Sequence, residues 1–228
     1  LGGMGPQATQ VFYQYVLDRT EASCDQEHLP TLIWSDTSMP DRTAAILSNG
    51  PDPVPEMASA LRNLEACGAD CVIMPCNTAH YFLPRLQAMT EIPFLSILTA
   101  AAEACKTRFP GKTVGILATK GTLSAQLYQN ALGEADVPYL TPETEEQDAL
   151  MRVIYDGVKA GKGPDAYRAD LLTVVEHMMT RGAGVFLLGC TELPLAAEAV
   201  GLTFPVVDPT AELAKAAIRF CGFRVRAK

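Results

Sequence analysis

Short runs of apolar and β-branched residues alternate along the chain with longer segments whose apolar positions recur every three or four residues. That alternation is the pattern of βαβ units around a parallel sheet. Thr31-Leu32-Ile33-Trp34, Cys71-Val72-Ile73-Met74, Val114-Gly115-Ile116-Leu117 and Val185-Phe186-Leu187-Leu188 read as buried strands. Weaker strands are expected at Phe94-Leu95-Ser96-Ile97 and Pro205-Val206-Val207. Between them, Met57, Ala60, Leu61 and Leu64 fall at i, i+3, i+4 and i+7, and Leu171, Val174, Val175 and Met178 repeat the stripe. Each of these predicted helices runs into a glycine, Gly68 or Gly182, a residue that ends helices readily because it tolerates the left-handed turn.

The two glycines open an internal repeat. Gly68-Ala69, a strand and Pro75-Cys76-Asn77-Thr78 are matched by Gly182-Ala183, a strand and Gly189-Cys190-Thr191-Glu192, with eight residues from glycine to cysteine in both. A helix and an apolar strand containing a proline follow each cysteine, and each half has a strand-to-helix turn rich in Gly and Thr, at Gly3 to Thr9 and at Ala118 to Thr122. The fold class expected is α/β: two pseudo-symmetric, Rossmann-like parallel-sheet domains with the active site in the cleft between them. The first would comprise residues 1–98 and 208–228 and carry Cys76; the second, 99–207, would carry Cys190. Ser48 to Pro55 reads as a loop, Glu134 to Glu146 as a polar, acidic loop, and the last helix, Ala211 to Phe223, is expected to pack back on the first half.

Composition narrows the partners. The 228 residues include 18 Lys+Arg against 26 Asp+Glu, a net charge of −8, with 48% hydrophobic and 19% charged residues. Such a chain can bury a core and is not disordered. Its acidity disfavours nucleic acid and anionic membrane surfaces, and no apolar stretch approaches the roughly 20 residues that span a bilayer. Seven cysteines, an odd number in a chain large enough to need no staples, point to free thiols in the cytoplasm. The chain opens Leu1-Gly2-Gly3-Met4-Gly5-Pro6 without an initiator Met or a basic-then-apolar leader, so further residues are expected upstream.

Cys76 and Cys190 each lie just past the carboxyl end of a predicted strand, at the start of the next helix, where parallel sheets bind ligands. A helix N-terminus would also lower a thiol's pKa. One such cysteine could be only a small buried hydrophobe, but two in equivalent turns point to function, because a pseudo-twofold would bring them face to face. Opposed acid–base groups suit stereoinversion at carbon, one removing a proton and the other delivering one to the opposite face. Redox exchange usually places thiols close in sequence, and these lie 114 positions apart. Cys67, Cys71 and Cys76 do not have the spacing of a structural zinc site, so no metal is expected.

Leu1-Gly2-Gly3-Met4-Gly5-Pro6 with Thr9, Ser38-Met39-Pro40-Asp41-Arg42-Thr43, Pro75-Cys76-Asn77-Thr78-Ala79-His80, Leu117-Ala118-Thr119-Lys120-Gly121-Thr122 and Gly189-Cys190-Thr191-Glu192-Leu193 resemble, in order over essentially the whole chain, the successive motifs of the aspartate/glutamate racemase family. The Met-Pro-Asp-Arg-Thr segment and the Tyr155 to Lys159 stretch resemble its aspartate racemase branch. The resemblance implies cofactor-independent racemisation of a small acidic amino acid, with Cys76 and Cys190 as the two bases, and a homodimer. Some members replace one cysteine with Thr; this chain has both.

The resemblance also places Arg42 and Lys159 on the substrate carboxylates; without it, Arg42 reads equally as a surface residue and Lys159 as a cation near the C-terminus of a helix expected from Glu145 to Lys159. Asn77, Thr78 and Thr191 could bind a carboxylate at the two helix starts or simply cap them. Thr119 and Thr122 could bond the ligand or Cys190, or cap their helix, and Met4 would line the matching turn in the first half. Glu192 is a weaker candidate, as is His80, which reads better as a surface or partly buried helical histidine than as a group tuning the thiol. The glycines at the N-terminus lack the spacing and the Lys of a phosphate loop, and no Lys stands in a context for a Schiff base. Two other readings stay open: a cysteine-dependent isomerase or decarboxylase of a non-amino diacid, of maleate isomerase or arylmalonate decarboxylase type, and a protein that binds an amino acid without turning it over.

Overall fold

The computed structural model describes residues 1–227. The chain divides into two compact units, Leu1–Ala100 together with the segment from Thr210 onward, and Ala101–Pro209.

In the first unit β1 (Val72–Ile73) pairs in parallel with β2 (Phe94–Leu95). The stripe Met57, Ala60, Leu61 and Leu64 of the Val54–Ala66 helix is buried and packs with Val72, Met74 and Leu86 in one core cluster. A second cluster joins Phe12 and Val16 of the Pro6–Arg19 helix to Leu213, Ala217 and Ile218 of the Pro209–Phe220 helix. One expectation is corrected. Thr31-Leu32-Ile33-Trp34 is not a buried strand: Leu32, Ile33 and Trp34 are 50%, 49% and 40% exposed, and the segment is tied at its end by the parallel bridge of Gly2 with Ser35. Its β-branched, apolar composition favours extended backbone, but Gly2 N–H donating to Trp34 O and Asp36 N–H to Gly2 O are the bonds that hold it.

The second unit is built on a four-stranded parallel sheet, β3 (Val114–Ala118), β4 (Tyr139–Leu140), β5 (Val185–Gly189) and β6 (Val206–Val207), in the order β4-β3-β5-β6. β3 and β5 run side by side from Val114 opposite Val185 to Ala118 opposite Gly189, and all ten residues are buried, as uninterrupted apolar strands covered on both faces should be. Leu171, Val174, Val175 and Met178 of the Arg168–Thr180 helix pack over them. The helix expected from Glu145 to Lys159 instead runs Thr144–Met151 and continues over Arg152–Val158 as a π-helix. β4 falls inside the stretch read as a loop; two residues at a sheet edge, flanked by Pro138 and Thr141, leave no periodicity to detect.

Gly68 and Gly182 take the left-handed conformation (φ +81° and +103°) just past their helices, as expected. At Gly189 the demand is spatial: a Cβ there would lie 2.8 Å from the Tyr128 ring and 3.1 Å from Ala118 Cβ. Tyr128 is fully buried and cannot yield freely, so Gly189→Ala is expected to cost about 1–3 kcal/mol, the usual penalty of overpacking, read from the midpoint of urea unfolding. Among the described residues no helix is long and apolar enough to cross a membrane.

Candidate active site

In the first unit, three segments converge on the turn after Leu1. Gly3 sits at φ +91°, where a Cβ would fall 2.1 Å from Asp36 O, so only glycine fits. Its N–H donates to Thr9 Oγ1 (2.9 Å), which donates in turn to Gly5 O (3.1 Å), fastening the loop to the following helix. Met4 is buried and its carbonyl accepts from Arg42 Nη2 (3.3 Å). Arg42 opens the Arg42–Leu47 helix, which Asp41 caps by accepting from Ala44 N–H. Its Nη1 donates to Pro40 O (2.9 Å), while Nε is buried without a hydrogen-bond partner among the described residues. A buried guanidinium N–H left unpaired is costly and suits an incoming carboxylate.

Cys76 is buried just beyond β1, followed by buried Asn77 and Thr78. The helix expected to start here is a 3₁₀ turn, Thr78–Phe82, leading into the short Leu83–Gln87 helix, and the Asn77 side chain does not cap it. A full helix dipole is therefore not aimed at Cys76. His80 is neither at the surface nor on the thiol: it is completely buried, with Nδ1 2.9 Å from Cys76 O and Nε2 accepting from Ile97 N–H (3.1 Å).

In the second unit, Cys190 follows β5 and precedes the Leu193–Val200 helix. Its thiol donates to Glu192 Oε2 (2.8 Å), to which Thr191 Oγ1 also donates (3.1 Å). Lys159 Nζ stands 3.7 Å from Glu192 Oε1 and 4.8 Å from the Tyr155 ring centre. The π-helical turn delivers it there: Lys159 N–H bonds Ile154 O, five residues back. The expectation of a thiol acidified by a helix start is corrected here. Burial first, then the Glu192 carboxylate, push the Cys190 thiol well above its ordinary pKa, while Lys159 pulls it down. Exchanging the flanking charges separates these effects. Glu192→Gln is expected to lower the pKa read from the pH dependence of Cys190 alkylation and Lys159→Met to raise it; identical profiles would mean the contacts do not act.

Thr119 caps the Lys120–Ser124 helix by accepting from Thr122 N–H, and the two hydroxyls lie 3.0 Å apart. Behind them is a residue the sequence reading missed. Gln147 is buried, its Nε2 donating to Ala118 O (3.0 Å) at the end of β3, with Oε1 lacking a hydrogen-bond partner among the described residues. The signal was present: Gln147, Leu150 and Ile154 share the i, i+3, i+7 stripe, so a polar side chain occupies a core position.

A cavity of about 840 Å³ in the first unit, lined by Tyr13, Leu32, Leu64 and Phe220 among others, is mostly apolar. Its lining includes neither Cys76, Asn77 nor Thr78, so it lacks the acid–base groups of the site.

A family model described as Asp/Glu/Hydantoin racemase matches residues 1–217. The broad specificity amino-acid racemase RacX of Bacillus subtilis is 25% identical, over 96% of this chain and 95% of its own. A glutamate racemase of Deinococcus radiodurans is 30% identical over 84% of this chain and 62% of its own. The aspartate racemase of Picrophilus torridus superposes with a TM-score of 0.85 at 30% identity, covering 99% of this chain and 94% of that one.

Proposed function

The chain belongs to the Asp/Glu/Hydantoin racemase family, and from that premise we propose that it interconverts the enantiomers of aspartate or glutamate, without a cofactor, by proton transfer at Cα between Cys76 and Cys190. The observation that carries this reading is the Cys190–Glu192–Lys159 arrangement. A thiol held at a raised pKa and already donating to a carboxylate has a place to send its proton when it must act as a base, and Lys159 beside that carboxylate favours the thiolate that results.

In the proposed cycle one thiolate takes the Cα proton and becomes a thiol. The electron pair left on Cα spreads into the α-carboxylate. The other thiol then donates its proton to the opposite face and becomes a thiolate, so the pair ends ready for the reverse direction. The carbanion-like transition state needs cationic or N–H donors at the carboxylates; Arg42 supplies the unpaired Nε and Lys159 the second cation. Asn77, Thr78, Thr119, Thr122 and Thr191, and the backbone at Met4, complete the binding surface. The seven cysteines are free thiols, which fits a reducing cytoplasm, and a homodimer completes the proposal.

Incubation with a panel of L-amino acids, without added cofactor and in deuterated water, tests it by chiral chromatography and mass spectrometry. Aspartate or glutamate should yield the D-enantiomer carrying one deuterium at Cα. Turnover of maleate or an arylmalonate instead would favour the diacid chemistry, and binding of aspartate without exchange would leave only a binding protein. Breadth is read from the same panel, since one methylene changes discrimination by only about 1–3 kcal/mol.

A further inference from the structure

The buried imidazole of His80 has two partners that fix its proton. Ile97 N–H can only donate, so Nε2, at 3.1 Å, must present its lone pair. Nδ1, 2.9 Å from the carbonyl oxygen of Cys76, must then carry the hydrogen and donate it. Both partners are groups that secondary structure leaves unserved. Ile97 is the first residue of the Ile97–Arg108 helix, whose first-turn donors have no acceptor within the helix; Ser96 Oγ accepts from Leu98 and Thr99 N–H, and the His80 ring takes Ile97. At the other end, the tight 3₁₀ winding turns His80 N–H to Asn77 O, three residues back. An α-helix would have sent that N–H to Cys76 O, four back, and the ring bonds that carbonyl instead.

We infer that His80 is a positioning residue: its neutral Nδ1–H tautomer is a two-ended joint pinning the backbone of Cys76 to the start of the Ile97–Arg108 helix, and so fixes where the Cys76 thiol stands. The consequence for turnover rests on the proposed role of Cys76 as one of the two bases; the joint itself does not. Displacement of a reacting group by about 1 Å can cost on the order of a hundredfold in rate. A ring that touches only the cysteine's carbonyl can therefore govern the chemistry of its sulfur.

Nitrogen-15 NMR of the histidine ring in the wild-type chain reads the tautomer without perturbing the fold. Nδ1–H is expected, and an Nε2–H tautomer would overturn the inference. Two substitutions then separate the joint from the reaction. His80→Phe fills the space and removes both bonds, whereas His80→Gln keeps one donor and one acceptor. In His80→Phe the alkylation rate of Cys76 should change at least about fivefold with that of Cys190 unaltered, and kcat should fall roughly 10- to 100-fold with KM within about twofold. His80→Gln should recover most of both. Unchanged Cys76 alkylation in His80→Phe sinks the joint. Altered alkylation with full racemisation upholds the joint and removes Cys76 from the reaction. Should His80→Phe fail to fold, the tautomer and the His80→Gln alkylation rate, expected near the wild-type value, still decide.

Discussion

Cys76→Ala and Cys190→Ala are each expected to lose racemisation by about a thousandfold, within the 10²- to 10⁴-fold that a positioned acid or base contributes. The loss should be complementary as well as large. A racemase with two bases uses one thiol for each face of Cα, so a chain keeping only Cys76 can still remove the proton from one enantiomer and return deuterium to the same face. The chain keeping only Cys190 does the same for the other enantiomer. In deuterated water each variant should label one enantiomer, and not the same one, while neither inverts. Both cysteines are buried, so each substitution also costs stability, about 1 kcal/mol for an average point change, too little to explain such a loss. Wild-type inversion by both variants would end the two-thiol proposal, and labelling of one enantiomer by both would mean a single base. Glu192→Gln belongs to the same experiment. With the carboxylate replaced by an amide, the Cys190 thiol faces at best a neutral acceptor that cannot take up its proton, and the half-reaction assigned to Cys190 should slow while the other does not.

How much of this was legible in the sequence depends on whether the signal was local. β3, β5 and the stripes at Met57 and Leu171 were plain, because strands and helices buried on this scale write their period directly into the apolar positions. Thr31-Leu32-Ile33-Trp34 misled for the same reason: composition specifies an extended backbone but not the neighbour that buries it. β4 left no trace because two residues hold no period. The repeat around Cys76 and Cys190 marked two equivalent turns. It did not disclose how differently their chemistry is set, with the Cys190 thiol on a side-chain carboxylate and the Cys76 carbonyl on a side-chain imidazole. Those contacts depend on χ angles and on a 3₁₀ turn, and neither shows in residue order. His80 carried the most misleading signal. Spaced four from Cys76, it invited a helical-face reading, whereas its second partner is Ile97, 17 residues away.

The same burial gives His80 a measurable effect on stability, with a definite sign. Burial pulls the ring's pKa down from the ordinary 6.5 to about 4, against the opposing hydrogen bond to Cys76 O. The unfolded chain therefore binds a proton near pH 6.5 that the folded chain refuses until about pH 4. The contribution is fully present above pH 6.5 and is lost as the pH falls through that window; at 1.36 kcal/mol per pH unit the loss approaches about 3 kcal/mol. Geometry supplies the reason for the refusal: an imidazolium carries hydrogen on Nε2 as well, and that hydrogen would confront Ile97 N–H, donor against donor. Glutamine does not titrate. Urea unfolding at pH 7, 6, 5 and 4 should therefore show the stability of wild type falling by about 3 kcal/mol relative to that of His80→Gln toward the acid end, whichever protein is the more stable at neutrality. The comparison also cancels the other groups that titrate in this window and are common to both proteins. Parallel curves would mean that the folded chain accepts the proton without loss, and a ring that does so is not held between a carbonyl and an N–H.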